Sequence, residues 1–364
     1  MNNVSALIPA YNAEKTIARA LASCYRQVDE IIVVNDGSTD HTSTVVKQFR
    51  HANIRLINHA INKGIGSARQ TCLEHCTTQY AAWLDSDDCF LPNRITDLLP
   101  WLQKGYDIVY DNMELFCGTT GEFLRNSEID EALKTHSGLD RQFARNQLRG
   151  IGVPLANVAR IRELGYGDLR HAEDYDFLLR ALLSGFRIKL TGSTSYRQYI
   201  YPHSVSNSTV NQYQHQHQIL SSIGYQRLEK HLESSALPCS DIWRIKLYFL
   251  ANIGDWKQLA KIAKEQYSTK SPCEHWLALF MEGVALAQSQ LFFDASKKFI
   301  AALNIEATPE CFNNLAVCCF HLSHDYQEHL RYALSLKPDY LDAENNLNNY
   351  PQHITRVPLR RAYL

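Results

Sequence analysis

The sequence predicts an α/β protein with a mostly parallel sheet and helices on both faces, followed by an all-α region. Over the first 90 residues, short apolar segments alternate with segments whose apolar residues recur at helical spacing. This alternation favours a parallel sheet, because each crossover helix returns the chain to the same end of the sheet. After about residue 209 the β-branched segments end and Gln and His become frequent, which indicates helices.

The predicted elements follow in chain order. A buried strand at 4–9 precedes a helix whose apolar residues recur from Ile17 to Cys24. Asn12 stands where the N-cap of this helix is expected, because its side chain can accept a hydrogen bond from a free N–H of the first turn. Further strands are predicted at 30–34, 54–57 and 80–84, with helices near 40–50 and 65–76 between them.

The composition is that of an ordinary globular protein. Of 364 residues, 45% are hydrophobic and 21% charged, which argues against disorder. A net charge of −1 argues against nucleic acid as a partner. The chain shows no secretory leader and no run of about 18 apolar residues, and its ten cysteines show neither a disulfide nor a zinc pattern. We therefore expect a cytoplasmic protein without a membrane span of its own.

Polar or aromatic residues follow three of the predicted strands, at 9–12, 35–38 and 85–88. In open α/β sheets, ligands bind at the carboxyl ends of the strands, in the connecting loops. We therefore expect these three loops to line a binding site.

The loop 85–88 holds three carboxylates, Asp85, Asp87 and Asp88. Carboxylate oxygens suit magnesium or manganese, which also bridge to substrate phosphates. A polar turn that ends the strand is the alternative. A calcium loop is disfavoured, because the positions that would need Gly and Glu are Phe90 and Thr96.

Two other polar loops are ambiguous when taken alone. Asp36 precedes Gly37 and Ser38, a combination that also forms an ordinary turn. The loop 62–69 contains two glycines and ends at Arg69, but it lacks the third glycine of a dinucleotide fingerprint.

Taken together and in order, these segments closely resemble family 2 glycosyltransferases of the GT-A fold, which is Rossmann-like. The four matching segments are 6–12 (ALIPAYN), 31–40 (IIVVNDGSTD), 62–69 (NKGIGSAR) and 85–88 (DSDD). The resemblance implies a nucleotide-sugar donor, usually linked to UDP, and a divalent cation bound at a D-x-D motif.

The resemblance also implies roles for individual residues. Tyr11 would lie against the nucleobase, Asp36 would accept a hydrogen bond from it, Arg69 would lie beside base and phosphate, and Asp85 would contact the ribose. Asn35 departs from the family pattern, in which many members carry Asp. The implied donor-binding residues are Pro9, Tyr11, Asn12, Asp36, Gly64, Arg69, Asp85 and Ser86.

A second signature supplies a candidate base. The segment 165–180 resembles the family's Gly-aromatic-Asp stretch followed by Glu-Asp, and Glu173 and Asp174 fall at the start of a predicted helix. Acidic residues also favour helix starts for electrostatic reasons alone, which is the alternative. The resemblance implies Asp174 as the general base that takes the proton of the acceptor hydroxyl, with Glu173 orienting neighbouring groups.

The predicted cofactor is Mn²⁺ or Mg²⁺. Its implied ligands are Asp87, with Asp88 as a second carboxylate, and His203, which lies in a stretch that resembles the family's closing H-x-S-x-S loop. An imidazole ligand is acceptable to manganese. A surface position is the alternative for a single histidine.

The C-terminal part contains a weak repeat. Asn313-Asn314-Leu315 recurs as Asn345-Asn346-Leu347, 32 residues later. A period of this size indicates stacked helical hairpins. The region resembles tetratricopeptide repeats, with Ala295, Phe299 and Ala302 at the expected packing positions; a generic helical bundle is the alternative.

The predicted organisation has four parts. They are a GT-A glycosyltransferase domain at 1–208, a helical connector at 209–255, tetratricopeptide-like helical repeats at 256–350 and a basic tail at 351–364. Within the tail, 356–361 is expected to be solvated, and contact with anionic lipid is the alternative.

The predicted function is metal-dependent, inverting transfer of a sugar from a nucleotide-sugar donor to a hydroxyl acceptor in surface polysaccharide or lipopolysaccharide synthesis. The acceptor would be a saccharide, a lipid-linked molecule or a protein, and the helical repeats would bind a protein partner or a second copy of the chain. The expected location is the cytoplasm, including the inner face of the membrane. A non-catalytic scaffold that binds a nucleotide-sugar and a protein-directed transferase are the alternatives. A nucleotidyltransferase is disfavoured, because 9–14 is not a Gly-rich phosphate loop.

Overall fold

A computed structural model describes residues 3–49, 53–135, 137–146, 153–167, 169, 171–201, 209–265 and 271–358. The chain divides into two compact units. The first comprises Met1–Gln142 and Asn146–Gln216, and the second comprises Phe143–Arg145 and His217–Leu364. The first unit is α/β, whereas the second is built of helices.

The strands of the first unit are β1 (Val4–Ala10), β2 (Glu30–Asn35), β3 (Ile54–Asn58), β4 (Tyr80–Trp83), β5 (Cys89–Phe90), β6 (Ile108–Cys117), β7 (Phe123–Ser127), β8 (Leu155–Asn157) and β9 (Ile188–Ile200). Among the described residues they form one sheet of nine strands. Its order is β3-β2-β1-β4-β8-β6-β9-β5, and β7 pairs with β6.

The sheet has a parallel half and a mixed half. Strands β3, β2, β1 and β4 pair in parallel, as predicted, and each predicted strand is confirmed to within one residue. Beyond β4 the sheet is mixed, since β8 runs antiparallel to β4 and β6 while β6 and β9 are parallel. The α/β fold class is confirmed, and the second half of the sheet adds antiparallel pairing that the sequence did not reveal.

The helices of the first unit cover the sheet. Their bounds are α1 (Ile17–Cys24), α2 (Thr42–Gln48), α3 (Ile65–His75), α4 (Arg94–Gln103), α5 (Val158–Leu164) and α6 (Glu173–Leu183). The predicted apolar face of α1 is confirmed, because Ile17, Ala20, Leu21 and Cys24 are all fully buried. Full burial of a side chain such as Leu21 contributes about 1.5–3 kcal/mol.

Asn12 is not the N-cap of α1, which corrects the prediction. The N-cap residue is Thr16, and residues 13–16 form a turn in which Ala13 accepts backbone hydrogen bonds from Thr16 and Ile17. Asn12 instead has a positive φ of 48°, a conformation that Asn tolerates better than most residues. Its side chain turns towards the loop after β2.

The remaining helices are α7 (Thr209–Ile223), α8 (Tyr225–Leu232), α9 (Cys239–Ile253), α10 (Trp256–Glu265), α11 (Pro272–Gln288), α12 (Phe292–Leu303), α13 (Pro309–His321), α14 (Gln327–Leu336) and α15 (Leu341–Asn348). From α9 to α15 each helix packs against the next. Ala295, Phe299 and Ala302 are fully buried in α12. The prediction of an all-α region is confirmed, and its tetratricopeptide-like character stays a prediction.

The last described segment, 351–358, packs against the helices that precede it, although its Arg356 is exposed. Pro351, Thr355 and Pro358 are buried. The reason is that main-chain atoms of this segment form hydrogen bonds with side chains of α13 and α15.

Two further observations concern the described residues. All ten cysteines lie within them, and each is a free thiol. No helix in these ranges has the length and apolar character required to cross a lipid bilayer.

Candidate active site

The ends of β1 and β2 are joined by hydrogen bonds between their loops. Because β1 and β2 are parallel neighbours, the residues that follow them lie at the same edge of the sheet. The Asn12 backbone N–H donates to Ser38 Oγ at 2.9 Å, and the Thr39 backbone N–H donates to Asn12 Oδ1 at 2.9 Å. Next to them Tyr11 is 49% exposed, so its ring is accessible at this edge. Pro9 lies within β1, opposite Val34, and is buried.

Asp36 is buried at the end of β2 and holds the loop that precedes α3. Its carboxylate accepts hydrogen bonds from the backbone N–H groups of Lys63 at 3.0 Å and Gly64 at 2.8 Å. His59 Nδ1 lies 2.6 Å from Asp36 Oδ1. Gly64 has a φ of 96°, in the region that side chains disfavour, so a glycine is needed where the loop meets this carboxylate.

Arg69 connects the two signature regions of the first unit. It is only 4% exposed in α3. Its Nη2 donates to Asp85 Oδ1 at 3.0 Å and its Nε donates to Glu173 Oε1 at 3.1 Å. The guanidinium carbon also lies 5.2 Å from the centre of the Trp83 ring. The turn after β4 and the start of α6 are thereby held together, although Arg69 and Glu173 are 104 positions apart.

Burial and charge shape the protonation of this cluster. Burial lowers the pKa of Arg69, but the charges of Asp85 and Glu173 more than offset it, so its pKa lies above the ordinary value. Burial raises the pKa of Glu173, Arg69 lowers it and the nearby Asp174 raises it again, for a net increase. Arg69 is therefore a permanent cation between two acidic groups.

Close packing brings α3 to the segment before α6. The Gly66 N–H donates to the carbonyl of Leu169 at 3.2 Å. A Cβ at Gly66 would lie 2.3 Å from the carbonyl oxygen of Gly167, which is closer than any side chain allows. Gly66 thus permits the approach on which the Arg69–Glu173 pair depends.

The acidic turn 85–88 is tied to β9 through Asp88. Tyr196 Oη donates to Asp88 Oδ2 at 2.9 Å, and the Tyr199 backbone N–H donates to Oδ1 at 2.8 Å. The Asp85 backbone N–H in turn donates to Tyr196 Oη at 3.2 Å. Burial raises the pKa of Asp88 well above its usual range, and the charges of Asp87 and Asp85 raise it further.

Unlike Asp85, the Asp87 carboxylate forms no ion pair among the described residues. Burial and the charge of Asp85 raise its pKa to about 6, while its own backbone N–H and Arg19 lower it. Arg19 Nη2 donates to the Asp87 carbonyl oxygen at 2.6 Å, and the Arg19 guanidinium stacks 3.6 Å from the centre of the Tyr199 ring. Ser86 lies between the two acids and is partly buried.

Asp174 is exposed, whereas its neighbour Glu173 is buried. Asp174 is the second residue of α6, and its Oδ1 accepts a hydrogen bond from the Tyr175 backbone N–H at 2.7 Å. The exposed carboxylate therefore stands beside a buried ion pair that holds its helix.

The roles predicted for these site residues stay predictions. His203 lies outside the described residues. Within the described residues, no group of three or more His, Cys, Asp or Glu side chains is arranged to hold a metal ion. Arg19 was not predicted as a residue of this site. The apolar periodicity of α1 does not mark it, because Arg19 flanks the buried face of the helix and is itself only partly buried.

Comparisons with known proteins concern the family and the fold. Residues 5–157 match the family model "Glycosyl transferase family 2". The succinoglycan biosynthesis protein ExoU of Rhizobium meliloti is 31% identical over 223 residues, which are 57% of this chain and 64% of that protein. The Escherichia coli glucosyltransferase WfgD, named for UDP-Glc and a GlcNAc-diphosphoundecaprenol, is 31% identical over 132 residues, which are 35% of this chain and 52% of that protein. The chain thus covers less than two thirds of each of these relatives.

Among solved structures, Staphylococcus aureus TarS residues 1–349 in complex with UDP-GlcNAc superposes with a TM-score of 0.54. The match covers 93% of this chain and 92% of that chain at 16% identity. At this identity the likeness supports the fold alone, and it confirms the predicted GT-A-like architecture. The resemblance to family 2 glycosyltransferases is confirmed over the matched residues.

Proposed function

We propose that this protein transfers a sugar from a UDP-sugar to a hydroxyl group of an acceptor, with inversion at the anomeric carbon and with Mn²⁺ or Mg²⁺, because residues 5–157 match the family model "Glycosyl transferase family 2". The names of two similar proteins support the donor class, since one is named for UDP-Glc and another was solved with UDP-GlcNAc.

One observation carries the proposal: Arg69 pairs with both Asp85 and Glu173. A sugar transferase must bring its donor and its base to one point. In the sequence, the residues for these two tasks lie in separate signatures. The ion pairs of Arg69 join them, and the proposed base, Asp174, directly follows Glu173 in α6.

The donor would bind along the edge formed by the ends of β1, β2 and β4. The exposed Tyr11 ring offers a surface for the base. Asp36 Oδ1 accepts two contacts and Oδ2 accepts one from the chain. A carboxylate has about four acceptor positions, so one stays available to an N–H of the base. Asp85 is 28% exposed at its side chain and would accept a hydrogen bond from a ribose hydroxyl.

Asp87 fits a divalent cation. Burial and then the charge of Asp85 raise the pKa of its carboxyl, and a bound cation would offset both effects. Magnesium is commonly held by one or two carboxylates plus substrate phosphates and water, so a large protein ligand set is not required. When bound, the cation would stabilise the charge that develops on the departing diphosphate. Asp88, whose oxygens both accept hydrogen bonds from β9, would chiefly hold the turn, and His203 stays a candidate ligand.

Asp174 would act as the general base. It would accept the proton of the acceptor hydroxyl as that oxygen attacks the anomeric carbon. Glu173 would keep α6 in position through Arg69. The acceptor we propose is a lipid-linked saccharide of surface polysaccharide synthesis, which the names of the two curated relatives support; the reaction would then take place at the inner face of the membrane.

The test is sugar turnover. Purified protein is incubated with a panel of UDP-sugars, Mn²⁺ and lipid-linked saccharide acceptors, and UDP release and product are followed. We expect acceptor-dependent release that requires the cation and is lost in Asp174→Asn and Asp87→Asn. Asp97→Asn is the matched control, because Asp97 is exposed on α4. Binding of UDP without turnover across the panel would contradict the proposal, as would full activity of Asp174→Asn.

A further inference from the structure

The repeated Asn-Asn-Leu motif forms a buried amide cluster in the second unit. Asn313 and Asn314 lie on α13 and Asn346 on α15, and all three are fully buried. Asn346 Nδ2 donates to Asn313 Oδ1 at 2.8 Å, which joins the two helices. Asparagine is a poor residue for a helix interior, and a buried amide is costly unless it is hydrogen-bonded. The cluster therefore needs polar partners.

Those partners are main-chain atoms of the segment after α15. Asn314 Nδ2 donates to the Thr355 carbonyl at 3.0 Å, and the Thr355 N–H donates to Asn314 Oδ1 at 2.8 Å. Asn346 Nδ2 donates to the His353 carbonyl, and Asn346 Oδ1 accepts from the N–H groups of Gln352 and His353, all at 2.9 Å. Each of these two amides thus binds the backbone through both its nitrogen and its oxygen, independently of the side chains of the bound segment.

Two side-chain contacts add selectivity to this backbone binding. Thr355 is 5% exposed, and its hydroxyl donates to Asp342 Oδ2 at 2.6 Å and bonds to Tyr340. The Arg356 guanidinium lies 5.4 Å from the centre of the Trp256 ring, a cation–π distance. In contrast, Gln352 is exposed.

We propose that α13 and α15 form a peptide-binding groove, that residues 352–356 occupy it as an intramolecular ligand, and that an extended peptide of another protein with a Thr-Arg pair can replace them. Neutral amides that read N–H and C=O groups suit a polypeptide rather than a lipid headgroup or a nucleic acid, which would call for cations. This inference does not depend on sugar transfer. The resident segment would compete at an effective concentration of about millimolar, because a short connection joins it to α15.

The test uses the full-length chain and a fluorescently labelled synthetic peptide of residues 350–358. Thr355→Pro removes the N–H that Asn314 accepts and the hydroxyl that Asp342 accepts, and should free the groove. Hydrogen exchange of the backbone amides of residues 352–356 reports the release. Fluorescence anisotropy should show that the peptide binds Thr355→Pro at least about tenfold more tightly than it binds the unchanged protein.

A pair of double variants tests the role of the amides. Adding Asn314→Ala to Thr355→Pro should weaken peptide binding by about tenfold or more, since two hydrogen bonds are lost. Adding Asn345→Ala, which changes an exposed neighbour of the same type, should leave binding unchanged.

Three results would overturn the proposal. The first is a Thr355→Pro protein with rapid amide exchange in the segment and intact helices by circular dichroism that does not bind the peptide. The second is peptide binding that is insensitive to Asn314→Ala. The third is a segment that stays protected from exchange in Thr355→Pro, because the main-chain contacts would then not be what holds it.

Discussion

Each unit of the protein contains a buried polar network, and the two networks differ in kind. In the first unit the network is ionic: one cation, Arg69, lies between Asp85 and Glu173. In the second unit it is neutral: three asparagine amides bind one another and the main chain of residues 352–355. Ionic networks depend on the balance of charge, whereas amide networks depend on the matching of donors with acceptors.

The two networks also differ in whether any of their polar groups lack a partner within the chain. Around the ionic network of the first unit, acidic groups outnumber cations. Asp87 and Asp174 lie near this network but form no ion pair with Arg69. In the second unit each nitrogen and oxygen of the three amides has a partner within the chain. The excess of negative charge in the first unit favours binding of a positively charged ligand such as a metal ion. The fully paired amides of the second unit already bind a segment of the chain itself.

The largest expected effect is on sugar transfer when the Asp174 carboxylate is removed. Asp174→Asn keeps the size of the side chain but removes its basicity, so sugar transfer should fall by about 10²–10⁴-fold. UDP-sugar binding should persist, since Asp174 is not proposed to contact the donor. Steady-state turnover and isothermal titration with UDP measure the two quantities. Equal loss of binding and turnover would mean that Asp174 serves the donor rather than the acceptor.

The next effect concerns the ionic network. Arg69→Met leaves Asp85 and Glu173 without their cation, and breaking a buried pair in this way typically costs about 3–5 kcal/mol. Hydrogen exchange of amides in α3 and α6 should report the loss. Arg26→Met, at an exposed position of the first unit, is the control and should change stability by no more than about 0.5 kcal/mol. A tolerated Arg69→Met would remove the contrast between the two networks.

A smaller effect is expected for the neutral network. Asn314→Ala leaves the N–H and C=O groups of Thr355 unpaired, which costs about 1–3 kcal/mol. Because this substitution leaves no buried charge without a partner, the loss of folding free energy should be smaller than for Arg69→Met. Urea unfolding of the second unit measures it, with Asn345→Ala as the matched control. If the two asparagine variants behave alike, the amide contacts do not stabilise the fold.

The smallest effect comes from a partly exposed ion pair in the second unit. Lys246 Nζ lies 2.8 Å from Glu229 Oε1, and this hydrogen bond, against a rise from burial, lowers the pKa of Glu229. The pair therefore stabilises above the unfolded-state pKa of Glu, about 4.3, and the contribution is lost as pH falls through the lower folded-state value. Solvent screening limits it to about 1 kcal/mol or less. Lys246→Met should differ from Lys257→Met in urea unfolding at neutral pH and converge with it in acid.

The sequence was most informative where structure is local. The strands β1 to β4 and the apolar face of α1 are short-range patterns, and they were predicted closely. The strands β6, β8 and β9 were not, because their pairing depends on partners far along the chain. The acidic turn was recognisable as a motif. The burial of Arg69 was not, since its two partners are 16 and 104 positions away.

The same limit explains why the role of Asn12 was misjudged and why the burial of Thr355 was not predicted. Asn12 has the chemistry of an N-cap, but its positive φ directs its side chain to the loop after β2. Thr355 is buried by contacts with amides that the sequence displayed only as a repeat. The residue type indicates which hydrogen bonds a side chain can form, but tertiary contacts decide which partner it binds.

The position of β9 has a consequence for synthesis of the protein. β9 lies between β6 and β5 in the sheet, and its Tyr196 holds Asp88, 108 positions earlier. A ribosome that adds about 5–20 residues per second therefore produces most of the first unit before the acidic turn can be anchored. The nascent chain should stay sensitive to protease until β9 has emerged, and it should gain resistance in one step thereafter. Assembly of the candidate site is in this way delayed until nearly the whole unit has been translated.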